Sequence, residues 1–132
     1  MSTPSTALLP LILALSRQLA DECHSIRVSR SALSRHTSIK RCLLQCAVPL
    51  QSLINRVQRG LISSDATVEI FTSFAYATLM RFQTDLLDLF RALDNRLRKT
   101  PALAALVEKT AKAVATVEDR ERTLILNALC CA

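Results

Sequence analysis

The chain has 132 residues, 50% hydrophobic and 21% charged, with 17 Lys and Arg against 11 Asp and Glu for a net charge of +6. A single Gly, at position 60, excludes a hairpin-rich β-protein, whose turns need residues with φ > 0. It also excludes every glycine-rich phosphate loop, since neither GxGxxG nor GxxxxGK[ST] can be written with one glycine. The length suits one domain with a buried core.

The first segment carries Leu8, Ile12, Leu15, Leu19, Ile26 and Leu33 at a 3-4 spacing, with gaps at Glu22 and Ser29. This spacing predicts a helix over about 5–34, with Ser5 as a cap and Cys23 beside the first gap. Pro10 is compatible with a start close to it.

A second stripe, Ile39, Leu43, Cys46, Leu50, Leu53 and Val57, predicts a helix over about 38–59, capped by Thr37 or Ser38 and closed by Gly60. Pro49 in its middle removes one backbone bond and is expected to kink the helix without ending it.

The third stripe runs Val68, Phe71, Ala75, Leu79, Phe82, Leu86, Leu89, Leu93 and Leu97, which predicts a helix over about 64–99. All four Phe and the only Tyr lie on it, so it is expected to be central. Thr100-Pro101 then supplies an N-cap and first residue for a fourth helix, about 101–130, with Leu103, Leu106, Thr110, Val114, Val117, Leu124 and Ala128 inward. The polar run Glu118-Asp119-Arg120-Glu121-Arg122 must lie beyond the core or against a polar partner.

Four long helices with short connections predict an all-α, elongated up-down-up-down four-helix bundle forming a single domain over 1–132. An open three-helix arrangement, completed by another chain, is the second choice. The apolar run Ala7–Leu15 contains Pro10 and falls short of a membrane span. No positively charged region precedes it, so a signal peptide is not expected.

Charge is asymmetric. Residues 1–62 hold all of the net charge, and no acidic residue stands between Cys23 and Ser64. In an up-down bundle the first and third connections share one end, which collects Arg30, Arg35, Lys40 and Arg41 with Arg96, Arg98 and Lys99. These seven are the candidate site, a basic pole for an acidic protein surface or for the phosphates of RNA. No aromatic is interleaved with these cations, so stacking on single-stranded bases is not expected.

Catalytic constellations are missing from the sequence. His24 and His36 have no triad partners, and Asp85 and Asp88 lack the Glu-x-x-His partner of carboxylate bundles. The five cysteines fit neither a zinc ribbon nor a disulfide framework, and read as thiols of a reducing compartment, cytoplasm or nucleus, with organelles open. No enzyme, cofactor or metal is expected. Phe74-Ala75-Tyr76-Ala77, followed by Thr100-Pro101 and Leu106, faintly resembles helical cofactors of the nuclear RNA exosome. In those an Ala-Tyr precedes a His-Pro that opens the next helix; here Thr replaces the His and the spacing is longer. The leading expectation is a non-catalytic scaffold or adaptor subunit bound to acidic proteins, with self-association allowed. The alternative, in line with the resemblance, is an RNA-processing cofactor on the phosphate backbone.

Overall fold

The computed structural model describes residues 4–26, 33–59, 65–93 and 101–130. Of these, 97% are helical, in four helices that form an all-α bundle, and none is in a strand. We label them α1 (Pro4–Ser25), α2 (Leu33–Gln58), α3 (Asp65–Ala92) and α4 (Pro101–Cys130). No described helix is long and apolar enough to cross a membrane.

α1 and α3 are both central: each packs against all three other helices, while α2 and α4 each pack against this pair. That position explains the width of the buried face of α1. Beside the expected stripe of Leu8, Ile12, Leu19 and Ile26, it also buries Leu9, Ser16, Ala20 and Cys23. The thiol of Cys23 fills the gap left by Glu22. Of the four Phe, only Phe82 is fully buried; it lies among Leu79, Leu86, Leu43, Leu50, Leu53, Leu103 and Leu106 in one core.

Three helix ends differ from expectation. α1 stops at Ser25 rather than near Ser34, where the Lys40 ammonium takes acceptors that a continuing helix would use. In its last turn the ring N–H at Nδ1 of His24 donates to Ala20 O at 2.8 Å, in the tautomer that this geometry requires, and Ser25 Oγ donates to Asp21 O at 2.9 Å, both on carbonyls within the helix. Lys40 Nζ then donates to Cys23 O, His24 O and Ile26 O at 2.8, 2.7 and 2.8 Å. In any helix continuing past Ser25 those carbonyls would be the next backbone acceptors. α2 begins at Leu33, ahead of the expected caps, since no Gly or Pro separates Leu33 from Thr37. α3 ends at Ala92 with a tightened bond from Leu93 N to Phe90 O at 3.2 Å, instead of running to 99. Leu93 is its last buried residue, and the helix-unfavourable Asp94 and Asn95 follow.

α2 continues through Pro49 to Gln58. α4 follows its expected span, but nothing after Val117 is buried. Leu124 is half-buried against the core and Ala128 is exposed, not inward, so α4 leaves the core beyond Leu124. The buried hydroxyls of Thr72, Thr78 and Thr110 donate to the carbonyl four residues back. Ser16 Oγ is buried without a hydrogen-bond partner.

Candidate interaction surface

Four polar ties sit at the four interfaces around the α1–α3 pair. Lys40 of α2 closes the end of α1 through the three carbonyls above. The Arg56 guanidinium of α2 lies 5.7 Å from the ring centre of Phe74 on α3. Tyr76 Oη of α3 donates to Glu118 Oε1 of α4 at 3.3 Å. Lys109 Nζ of α4 meets Glu22 Oε1 of α1 at 2.7 Å.

The expected basic pole divides under this geometry. Arg30, Arg96, Arg98 and Lys99 lie outside the described residues. Arg35 belongs to α2, with its side chain outside the described set. Lys40 is not a free phosphate ligand, because all three of its N–H donors are used on α1 carbonyls. Partial burial lowers its pKa from the usual lysine value, while the thiol of Cys23 opposes that shift. Arg41, the next residue, is exposed.

Beyond Arg41, α2 presents one further exposed cation, Arg56, with exposed Arg59 just past its end, and carries no acidic residue at all. On α3 and α4, three cations are neutralised locally. Arg81 pairs with Asp85 on α3 at 3.7 Å, Lys112 with Glu108 on α4 at 3.8 Å, and Arg122 with Asp119 at 3.6 Å. Such exposed pairs add little stability, but they cancel the local field. On α2 the field is left standing.

A depression of about 340 Å³ runs along this helix over Val48, Gln51, Ser52, Asn55, Arg56 and Arg59. The spacing of these residues is that of one helix face. The reading of the sequence missed this surface, because Arg56 and Phe74 are distant in sequence and only the packing of α2 on α3 stacks them. An acid-free α2 was the signal that pointed to it. A larger groove of about 610 Å³ lies between α1 and α4, but its walls mix Asp21 and Glu22 with Lys109 and Lys112, so it has no consistent sign.

Two thiols, Cys23 and Cys46, are held in their neutral form. Burial, then the neighbouring Cys46, pushes Cys23 up to about 12. Burial, then Asp85 and Cys42, pushes Cys46 up to about 11. Neutral thiols are poor nucleophiles and poor metal ligands. Tyr76 is also raised, by burial and then by the charge of the Glu118 carboxylate that accepts its hydrogen bond.

Comparison with protein-family models, with curated proteins and with solved structures finds no match for this chain. The likeness to exosome cofactors rests on Ala75-Tyr76, Pro101 and their neighbours alone. In this fold Tyr76 is half-buried and bonded to Glu118.

Proposed function

We propose that this protein is a non-catalytic scaffold or adaptor subunit of a larger assembly, and that it docks its cationic end on an acidic protein surface. The observation that carries the reading is the contrast between helices: Arg81, Lys112 and Arg122 on α3 and α4 each pair with a carboxylate one turn away, and α2 carries no acidic residue. A surface of unmatched cations raises the local concentration of anionic partners and speeds their encounter. In this reading Arg41 works with Arg30, Arg35, Arg96, Arg98 and Lys99, and Lys40 works from behind by fixing the end of α1 against α2. The bundle supplies a rigid frame, and no chemistry is assigned to it.

The test is the triple reversal Arg35→Glu, Arg41→Glu and Arg98→Glu in the native source. The proteins that accompany the wild type should be lost while helical circular dichroism is unchanged. Retention of every partner by the reversed variant would overturn the reading. Loss of the same partners from the wild type on ribonuclease treatment would transfer the pole to RNA.

A further inference from the structure

The side of α2 turned away from the core carries a stripe of its own. At 100° per residue Arg41, Gln45, Val48, Ser52, Asn55 and Arg59 fall within an arc of about 80°, opposite Leu43, Leu50 and Leu53. All six are exposed. They recur by four and three residues in turn, the spacing of a coiled-coil seam, over about 27 Å of helix. Arg59 lies one residue past the end of α2 and keeps the register through its N–H, which donates to Asn55 O at 3.2 Å. The depression of about 340 Å³ follows the second half of this stripe.

The charge along the stripe has one sign. α2 has no acidic residue, and Arg41, Arg56 and Arg59 make no ion pair among the described residues. Arg56 lies over the Phe74 ring, which positions the guanidinium and leaves its N–H edge open to a carboxylate. α3 does not supply one there. Glu69 stands about 140° around α3 from Phe74, on the side of Tyr76 and α4. Asp85 and Asp88 lie at least about 16 Å further along that helix. Between the cations Gln51 Nε2 donates to Asn55 Oδ1 at 3.2 Å, so the amide N–H groups of Asn55 remain as further donors.

We propose that this face docks an acidic α-helix of a partner protein, laid along α2 with carboxylates on Arg56 and Arg59 and an apolar side chain on Val48. The proposal rests on the adaptor reading and adds to it a second surface and the shape of its partner. The 3-4 spacing selects a helix, because two helices meet along such a seam at a small crossing angle. The unmatched arginines select its charge, since opposite faces steer encounter and like faces repel. A second copy of this chain offers no such stripe. Among the described acids, Glu22, Asp85, Glu108, Glu118 and Asp119 are bonded within the molecule, and the rest are scattered over three helices. RNA suits the face poorly. Three cations over about 27 Å would stand against one phosphate charge per about 1.7 Å of duplex, and Val48, 61% exposed, gains nothing from phosphate.

Fluorescence anisotropy with a labelled synthetic helix reads the result. The probe is an alanine-based peptide of roughly 22 residues, long enough to span the stripe, with Leu at the centre of a 3-4 seam and Glu at its ends. Its counterpart has Lys in place of Glu. The wild type should bind the Glu peptide, more weakly as salt rises, and leave the Lys peptide free. Arg56→Glu/Arg59→Glu should weaken binding at least about tenfold. Ser52→Glu/Asn55→Glu sets a carboxylate one turn before each arginine, spares the contact of Arg56 with Phe74, and should also weaken binding. Lys112→Glu/Arg122→Glu makes the same change of net charge as the first variant, but on α4, and should leave binding unchanged. Circular dichroism establishes that each variant is folded. A wild type that binds neither peptide at several hundred micromolar, or both alike, would overturn the proposal. So would a folded α2 variant that binds like the wild type, an equal loss in the α4 variant, or tighter binding of duplex RNA than of the Glu peptide. In the native extract, partners lost from the triple reversal at the pole but kept by Arg56→Glu/Arg59→Glu would strike this surface alone and leave the adaptor reading standing.

Discussion

Replacing Lys40 with Met keeps the aliphatic stem and removes the ammonium that holds α2 to the end of α1. Three carbonyls lose a charged donor at 2.7–2.8 Å. The carbonyl of His24 is exposed and regains water, so its loss costs little. Those of Cys23 and Ile26 are partly buried. A hydrogen bond to a charged group contributes about 1.5–3 kcal/mol net, and the lower figure suits these partly wetted sites. Two such bonds, together with a small helix-dipole contribution from a cation at a C-terminus, give about 3–4 kcal/mol. The assay is urea unfolding followed by circular dichroism, in which the midpoint should fall while the slope is unchanged. Lys40→Arg should recover less than half, because a planar fork cannot reach three convergent oxygens as a compact ammonium does. A loss under about 1 kcal/mol for Lys40→Met would refute the argument that this residue terminates α1 and clamps it to α2.

Ser16→Ala removes a buried hydroxyl that has no partner and should raise stability by about 1 kcal/mol in the same assay. The thiol of Cys23 ionises near 9 when unfolded and is held up to about 12 when folded, so the native state keeps its proton longer. Stability should therefore fall as pH rises above 9, by about 1.4 kcal/mol per pH unit from this residue. Cys23→Ala should remove that share of the slope in pH-dependent unfolding. The up-down-up-down order predicts that spin labels at Arg41 and Asp88 lie much closer than labels at Arg41 and Glu69. The rise between 69 and 88 is about 28 Å, and electron–electron resonance reads the difference. Equal distances would remove α2 and α3 from that order.

Much of the architecture was legible because the apolar spacing is consistent with burial. Leu8, Ile12, Leu19, Leu43, Leu50, Leu53, Leu79, Leu86, Leu103 and Leu106 are all buried where a 3-4 repeat puts them. The helix ends were less legible, since they depend on contacts that periodicity does not record. Nothing in the sequence from 26 to 34 announces that Lys40 will take the carbonyls of α1. Ala128 fits the repeat and is exposed, because a repeat specifies a face of a helix and not how far the neighbouring helices extend. The site was legible in its sign and not in its place. The lack of acids between Cys23 and Ser64 marks α2, but Arg56 on Phe74 comes from the packing of α2 on α3.

The most direct test of the adaptor role is the mass at which the native protein travels in a ribonuclease-treated extract at physiological salt, read by gel filtration. The account predicts a species well above a dimer of 14.6 kDa chains, with proteins of acidic surface in the same fraction. Elution of the whole pool at monomer or dimer mass, with nothing accompanying it, would contradict the account.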